Sequence, residues 1–136
     1  MARILGIDYG TKRVGLAVTD PMQIIASPLT TVDTPQALDY IAKYIAENEV
    51  ERILIGYPTD LQGRPTDATF HVEGFIKAIQ KRLPEMPLQK WDESYTSRMA
   101  MQSLVASGIK KKQRRDKKLL DQVSAAIILQ EYLQNL

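Results

Sequence analysis

The chain lacks cysteine altogether and has a single histidine among its 136 residues. Without thiols it cannot form disulfides, use a thiolate nucleophile or bind metal through sulfur. One histidine, His71, is too few for a zinc site built on several imidazoles. Any metal site in this chain therefore has to be built from oxygen ligands.

Long apolar runs are missing as well. No stretch approaches the roughly 20 apolar residues that a membrane-spanning helix needs, and the N-terminus has no basic segment followed by an apolar core and a cleavage site. We therefore expect a cytoplasmic protein with no membrane partner. The 44% hydrophobic and 25% charged composition predicts a single domain over residues 1–136 with an ordinary core.

The basic charge is concentrated in one segment. The net charge is only +2, from 18 Lys and Arg against 16 Asp and Glu. Residues 110–118 read KKKQRRDKK and hold seven of the bases and one of the acids, which leaves 11 bases and 15 acids elsewhere. Such a run is often a solvated loop. The alternative is a loop that binds a polyanion such as nucleic acid.

Strands and helices are predicted to alternate after two opening hairpins. The predicted strands cover residues 4–7, 14–18, 24–32 with an interruption at Pro28, 52–56 and 88–91. The predicted helices run from 34, with Thr34 as the cap, to about 48, from about 66 to 83, from 97 to 107 and from about 118 to 133. Core candidates on the second and last of these helices include Phe70, Val123, Ala126, Ile127 and Leu133. This order predicts an α/β fold with a mixed five-stranded sheet, three antiparallel N-terminal strands plus parallel strands, flanked by helices. It matches the ribonuclease-H-like architecture.

Asp8 ends the first apolar run and precedes a turn around Gly10. A carboxylate at the end of a buried strand is costly unless it is hydrogen-bonded, paired or bound to metal. Aspartate is also common in turns. The residue alone therefore leaves turn chemistry and a functional site equally open.

Two further acids share the structural logic of Asp8. Glu93 lies just past the last predicted strand, and Asp121 lies near the start of the final helix. If the first and last strands are parallel, Asp8 and Glu93 reach the same edge of the sheet, and the final helix can bring Asp121 there. Three carboxylates suit Mg²⁺ or Mn²⁺, and two such ions support phosphodiester hydrolysis. Asp121 has an alternative explanation, complementarity to the helix dipole.

The chain resembles the YqgF family of pre-16S rRNA nucleases, which are also described as Holliday-junction resolvases. Four blocks carry the resemblance along essentially the whole chain. They are GIDYGTKRVG from Gly6, IGYP from Ile55 with Gly63, Asp92-Glu93 with Thr96, and DQVSAA from Asp121 with Ile128-Leu129.

The resemblance implies a ribonuclease-H-like fold and a nuclease that acts on structured nucleic acid. Asp8, Glu93 and Asp121 would be its catalytic acids and would bind two Mg²⁺ or Mn²⁺ ions. The family points to maturation of the 16S rRNA 5′ end, with cleavage of branched DNA as the alternative. Two residues depart from the pattern: Ser94 stands where the family usually has arginine, and Ser124 where related resolvases have a fourth acid.

Several basic and aromatic residues are candidates for substrate binding. Lys12 and Arg13 follow Asp8 in the turn, although an ordinary polar turn also explains them. The other candidates are Tyr57, Arg64, Arg98, Lys111, Lys112, Arg114 and Arg115. Tyr57 would stack on an unpaired base, and the cations would hold the phosphate backbone.

Two rival functions remain open at this point. One is a non-catalytic nucleic-acid-binding module that uses the basic segment, for which the serine at position 124 is a modest argument. The other is a phosphotransferase-like nucleotide binder, suggested by Asp8, Gly10 and Thr11. The chain is short for the second phosphate loop and nucleoside pocket that such a protein needs.

Overall fold

A computed structural model of the chain describes residues 2–58, 62, 64–92 and 117–135. Its elements, in chain order, are β1 (Arg3–Tyr9), β2 (Arg13–Thr19), β3 (Ala26–Asp33), α1 (Thr34–Glu47), β4 (Val50–Tyr57), α2 (Asp67–Arg82), β5 (Leu88–Asp92) and α3 (Lys117–Gln134). The helix predicted over 97–107 and residues 110–116 of the basic segment lie outside the described residues.

The five strands form one mixed sheet in the order β3-β2-β1-β4-β5. The β1–β2 and β2–β3 pairs are antiparallel, whereas β1–β4 and β4–β5 are parallel. The predicted fold class is therefore confirmed. Because β1 is the central strand, the residues at its carboxyl end lie in the middle of one edge of the sheet, namely the edge that the carboxyl ends of the parallel strands β1, β4 and β5 form.

Side chains of β1 alternate between two packed layers. Leu5 and Ile7 are fully buried in the layer that contains α1 and α2, while Ile4 is buried on the opposite face against α3. Since successive strand residues point to opposite faces, Asp8 belongs to the α3 face with Ile4. Burying each large aliphatic side chain contributes about 1.5–3 kcal/mol, so this alternation strongly determines which face Asp8 occupies.

The face that α3 buries agrees only in part with the predicted one. Of the four predicted residues, Ala126 is buried against the sheet and Leu133 packs beside it, whereas Val123 and Ile127 are not in that cluster. The other residues packed there include Ala125, Ile128, Leu129 and Tyr132. The helix is apolar on more than one side, so its periodicity did not select a face. The buried face contains Ala125, which lies four residues beyond Asp121. Because residues four apart share a helix face, Asp121 also lies on the side of α3 that faces the sheet.

One core prediction and one strand boundary were wrong. Phe70, predicted to be buried, is 70% exposed in the first turn of α2. Ile24 and Ile25, predicted to begin the third strand, precede β3. Pro28 does not end β3, but the register with β2 shifts beside it, as is typical of proline in edge strands and at bulges.

Asp20 organises the turn between β2 and β3. Its carboxylate accepts backbone hydrogen bonds from Met22 at 3.2 Å, Ile24 at 2.8 Å and Ile25 at 2.9 Å. Gln23 has a positive φ of 57°, and its side-chain amide donates to the carbonyl of Ala2 at 2.8 Å. The backbone hydrogen bonds, led by that from Ile25, lower the pKa of Asp20 below its ordinary value of 3.8.

We expect Asp20→Ala to lower the melting temperature at neutral pH, because three backbone donors lose their acceptor. The folded-state pKa lies below 3.8, so the stabilisation is complete above pH 3.8 and is lost as the pH falls through the folded-state value. Thermal melts of both proteins between pH 7 and pH 2.5 measure this. The difference in melting temperature should shrink on acidification. A difference that stays constant with pH would contradict the role of the charge.

No helix within the described part of the chain is long and apolar enough to cross a membrane.

Candidate metal and nucleic-acid site

Asp8 faces Gly15 across the β1–β2 ladder. Residues directly opposite in an antiparallel pair have Cα atoms about 4.5–5.5 Å apart and project to the same face. Asp8 is partly buried and lies near the end of β1 rather than just after it. Its position opposite a glycine allows another element to approach the sheet closely beside it.

Gly15 allows α3 to approach the sheet at Asp121. A Cβ atom added to Gly15 would lie 2.1 Å from the carbonyl oxygen of Asp121 and 2.9 Å from the backbone nitrogen of Gln122. Only a residue without a side chain permits this contact between the α3 backbone and β2. Since Gly15 is also the partner of Asp8, it brings Asp8 and Asp121 to one place on the sheet.

Asp121 forms a salt bridge with Arg13. The Arg13 Nε atom donates to Asp121 Oδ2 at 3.0 Å, and the two side chains are 26% and 25% exposed. The residues are 108 positions apart in the chain, and nothing in the sequence indicated the pairing. Asp121 is not in the first turn of α3, so complementarity to the helix dipole, which fades within one turn, does not explain this residue.

The turn that carries Lys12 is tied to the start of α1. The Thr34 hydroxyl donates to the Gly10 carbonyl at 2.6 Å, and the Thr34 backbone N–H donates to the Lys12 carbonyl at 3.0 Å. We expected Thr34 to cap α1, but the N-cap residue is Asp33. Thr34 instead fixes the turn beside Asp8 and leaves the Lys12 side chain exposed.

The two acids at the end of β5 differ in position. Asp92 is the last residue of β5 and pairs with Tyr57. Trp91 packs on the α3 face, edge-to-face with Tyr132 at 5.7 Å, and alternation places Asp92 on the opposite face, away from that of Asp8. Glu93 lies outside the described residues.

Tyr57 belongs to a polar cluster on the α2 face. Its hydroxyl donates to Glu73 Oε1 at 2.6 Å, and Lys90 Nζ lies 2.8 Å from the same oxygen and 4.7 Å from the centre of the Tyr57 ring. The hydrogen bonds from Lys90 and Tyr57 lower the pKa of Glu73, and the bond to Glu73 raises the pKa of Tyr57. The structure does not bring Tyr57 to the face that carries Asp8 and Asp121.

The remaining candidates for substrate binding are only partly described. Arg64 is exposed and donates to the Gln62 side chain at 2.6 Å on the loop that follows β4. Thr69 of α2 donates a short hydrogen bond to the Pro58 carbonyl and so ties this loop to the helix. Arg98, Lys111, Lys112, Arg114 and Arg115 lie outside the described residues.

The donor chemistry at Asp8 and Asp121 fits a hard divalent cation. Carboxylate oxygens are the ligands that Mg²⁺ and Mn²⁺ prefer. The described residues contain no group of three or more histidine or acidic side chains placed to hold a metal, and the third predicted acid, Glu93, is not among them. Arg13 supplies a positive charge beside Asp121 in this structure.

Ser124 lies one helical turn beyond Asp121 and is 3% exposed. Its small hydroxymethyl group fits the close packing of α3 on the sheet, where a carboxylate would have to be buried. The packing at position 124 therefore favours a serine over an acid.

Comparison with known proteins found a matching family and similar sequences. A family model described as "RuvX: Holliday junction resolvase" matches residues 2–135. A protein of Christiangramia forsetii named "Putative pre-16S rRNA nuclease" is 50% identical over 133 residues, which cover 98% of each chain. A Bacteroides fragilis protein of the same name is 47% identical, over 98% of this chain and 97% of its own.

Among solved structures, Thermus thermophilus RuvC in complex with a Holliday junction substrate has the same fold. It matches with a TM-score of 0.61 and 16% identity, over 99% of this chain and 95% of that one. A second structure of the Thermus protein matches with a TM-score of 0.53. At this identity the likeness concerns the fold. The match along nearly the whole chain and the identity to its relatives show that the protein belongs to the RuvX Holliday junction resolvase family.

Proposed function

We propose that the protein is a metal-dependent nuclease that hydrolyses phosphodiester bonds in pre-16S rRNA. The observation that supports the proposal is the contact at Gly15: Asp8 of β1 pairs with Gly15, and the backbone of Asp121 of α3 packs against the same glycine. The family of nucleic-acid-cleaving proteins to which the chain belongs supports the same chemistry.

The proposed site has three acids and holds Mg²⁺ or Mn²⁺. Asp8 and Asp121 supply two carboxylates, and Glu93, just past β5, supplies the third. When bound, such ions would supply the activation of a water molecule and the stabilisation of the leaving oxygen of a phosphodiester. The protein's own part is to hold the carboxylates on rigid elements, and for Asp8 these are the β1–β2 ladder and the turn tied at Gly10.

The proposed substrate contacts surround this edge. Lys12 is exposed on the fixed turn beside Asp8, and Arg64 is exposed after β4. We assign phosphate binding to these residues together with Arg13, Arg98 and the basic segment that holds Lys111, Lys112, Arg114 and Arg115. Pre-16S rRNA is favoured as the substrate because the relatives with about half of their residues identical are named for it. We place the activity in the cytoplasm, within a single domain.

Branched DNA is the second candidate substrate, since the family model is described as a Holliday junction resolvase. The metal chemistry is the same for both substrates, so only a direct comparison separates them. A nuclease that prefers RNA would use contacts to the ribose 2′-hydroxyl, whereas a junction resolvase would respond to the four-way branch.

Cleavage of a matched set of substrates tests the proposed function. We expect 5′-extended 16S rRNA to be cut in Mg²⁺ or Mn²⁺ and left intact in chelator, with slower cutting of a four-way DNA junction and of linear duplex DNA. Faster cutting of the junction would transfer the assignment to branched DNA. Binding of all three substrates with no cleavage in any metal would show a non-catalytic binding module instead.

A further inference from the structure

Arg13 neutralises Asp121 in this structure. Its Nε atom lies 3.0 Å from Asp121 Oδ2, and both side chains are about three-quarters buried, with exposures of 26% and 25%. Among the described residues, Asp121 is the only side chain to which the Arg13 guanidinium donates a hydrogen bond. The carboxylate that we assign to metal binding is therefore already engaged by a cation of the chain.

This salt bridge competes with a divalent ion for Asp121. A metal ion at Asp121 would lie a few ångströms from the guanidinium, and two positive charges that close repel each other in a partly buried site. The guanidinium also engages one of the two oxygens that the ion would use. The salt bridge therefore weakens metal binding as long as Arg13 stays on Asp121.

The surroundings of Arg13 allow such an exchange. Arg13 is the first residue of β2, and its backbone pairs with Asp33 of β3. The backbone is thus fixed while the tip of the long side chain is held by Asp121. A planar guanidinium is well suited to bind a phosphate through two parallel hydrogen bonds, and the turn that carries Arg13 stands beside Asp8.

We infer that Arg13 is a placeholder for the metal, which pairs with Asp121 in the metal-free protein and transfers to a substrate phosphate when the ion binds. This inference rests on the proposed function, because it needs Asp121 to be a metal ligand. In the metal-free state the positive charge of Arg13 balances the Asp121 carboxylate, and in the metal-bound state the charge of the ion does so. It also couples metal binding to substrate binding, since the cation that the ion displaces becomes a substrate contact.

Calorimetric titration of Mn²⁺ into the full chain, without nucleic acid, tests the first half of the exchange. We expect Arg13→Gln to bind Mn²⁺ roughly threefold to tenfold more tightly than the wild type, because the competing ion pair is gone. Lys12→Gln removes the same charge from the same turn without touching Asp121, and its Mn²⁺ affinity should stay within about twofold of the wild-type value. Equal or weaker binding by Arg13→Gln would overturn the inference.

The side-chain resonance of the wild-type Arg13 Nε–H group provides a measurement that does not depend on the variant folding. In the metal-free protein this proton is hydrogen-bonded to Asp121. Addition of diamagnetic Mg²⁺ should shift its resonance toward that of a solvent-exposed arginine, and Asp121→Asn should produce the same shift without metal. A resonance that does not move while Mg²⁺ saturates the site would overturn the exchange.

Measurements of RNA binding test the second half of the exchange, the transfer of Arg13 to a substrate phosphate. In Ca²⁺, used as a probe that binds oxygen ligands, Arg13→Gln should bind RNA more weakly than the wild type and with a salt dependence reduced by about one phosphate contact. In chelator the two proteins should bind alike. If Asp8→Asn bound Mn²⁺ as tightly as the wild type, the proposed function would be refuted. If Asp8→Asn weakened Mn²⁺ binding but Arg13→Gln did not tighten it, only the placeholder role of Arg13 would be refuted.

Discussion

Replacement of Asp8 by Asn should reduce cleavage on the order of a thousandfold or more, equivalent to about 4 kcal/mol of transition-state stabilisation. The substitution keeps the size and shape of the side chain but removes the charge that a divalent ion requires. Single-turnover cleavage of 5′-extended rRNA, with protein in excess and Mg²⁺ present, measures the chemical step without product release.

The fold should survive this change, because Asp8 is partly buried at the end of β1 and the ladder is made by backbone atoms. Asp39→Asn is a suitable control. Asp39 pairs with Arg82 on the surface at 2.9 Å, away from the sheet edge that carries Asp8, and its loss should leave cleavage unchanged. If Asp8→Asn retained wild-type cleavage, the assignment of the metal site would be wrong.

Substitutions of Asp92 and Glu93 test which acid at the end of β5 completes the site. Strand alternation places Asp92 on the face opposite to Asp8, and we propose Glu93 as the third ligand. Glu93→Gln should therefore lower cleavage by about a hundredfold or more, because a metal ligand is lost. Asp92→Asn should change cleavage by less than about threefold. Equal losses in both variants would contradict the assignment of faces.

Gly15→Ala is the other substitution with a large expected effect. The added methyl group would overlap the Asp121 carbonyl oxygen at 2.1 Å and carbonyl carbon at 2.3 Å. These are backbone atoms, so no side-chain rotation relieves the overlap and α3 has to move away from β2. We expect a loss of about 1–3 kcal/mol in the free energy of unfolding and, because a shift of about 1 Å displaces Asp121, a loss of about a hundredfold in cleavage.

Gly74→Ala is the matched control for Gly15→Ala. No atom lies within 4 Å of a Cβ added at Gly74, which is inside α2, and alanine there should stabilise the protein by about 0.5–1 kcal/mol. Melting temperatures and Mn²⁺ affinities of both variants separate stability from positioning, with cleavage assayed well below either melting temperature. A folded Gly15→Ala protein that cleaves and binds Mn²⁺ normally would show that the close approach does not position the site.

The core strands were predictable because they are buried on both faces and therefore read as continuous apolar runs. Leu5 and Ile7 of β1 and Ile53 and Ile55 of β4 are fully buried, as their apolar runs indicated. The parallel and antiparallel pairings followed from the order of hairpins and helices, and the resemblance to the YqgF family is confirmed by the match to its family model.

Predictions failed where several placements were equally apolar or where residue type alone suggested a core position. The α3 sequence offers two apolar faces, and only contact with Ile4 and Leu54 selects the one that contains Ile128. Phe70 has the residue type of a core position, but it lies on the exposed side of α2 with Gly74, whereas Thr69 in the same turn is buried. Residue type alone does not show which side of a helix faces the sheet.

By itself, the sequence indicated the order of elements, a preference for oxygen ligands, the candidate acids Asp8, Glu93 and Asp121, and the family. The tertiary structure decided what lies beside Asp8 and Asp121. It paired Asp8 with Gly15, set the backbone of Asp121 against that glycine and placed Arg13 on the Asp121 carboxylate. The two contacts of Asp121 join residues more than a hundred positions apart, and only the packing of α3 on the sheet brings such distant residues together.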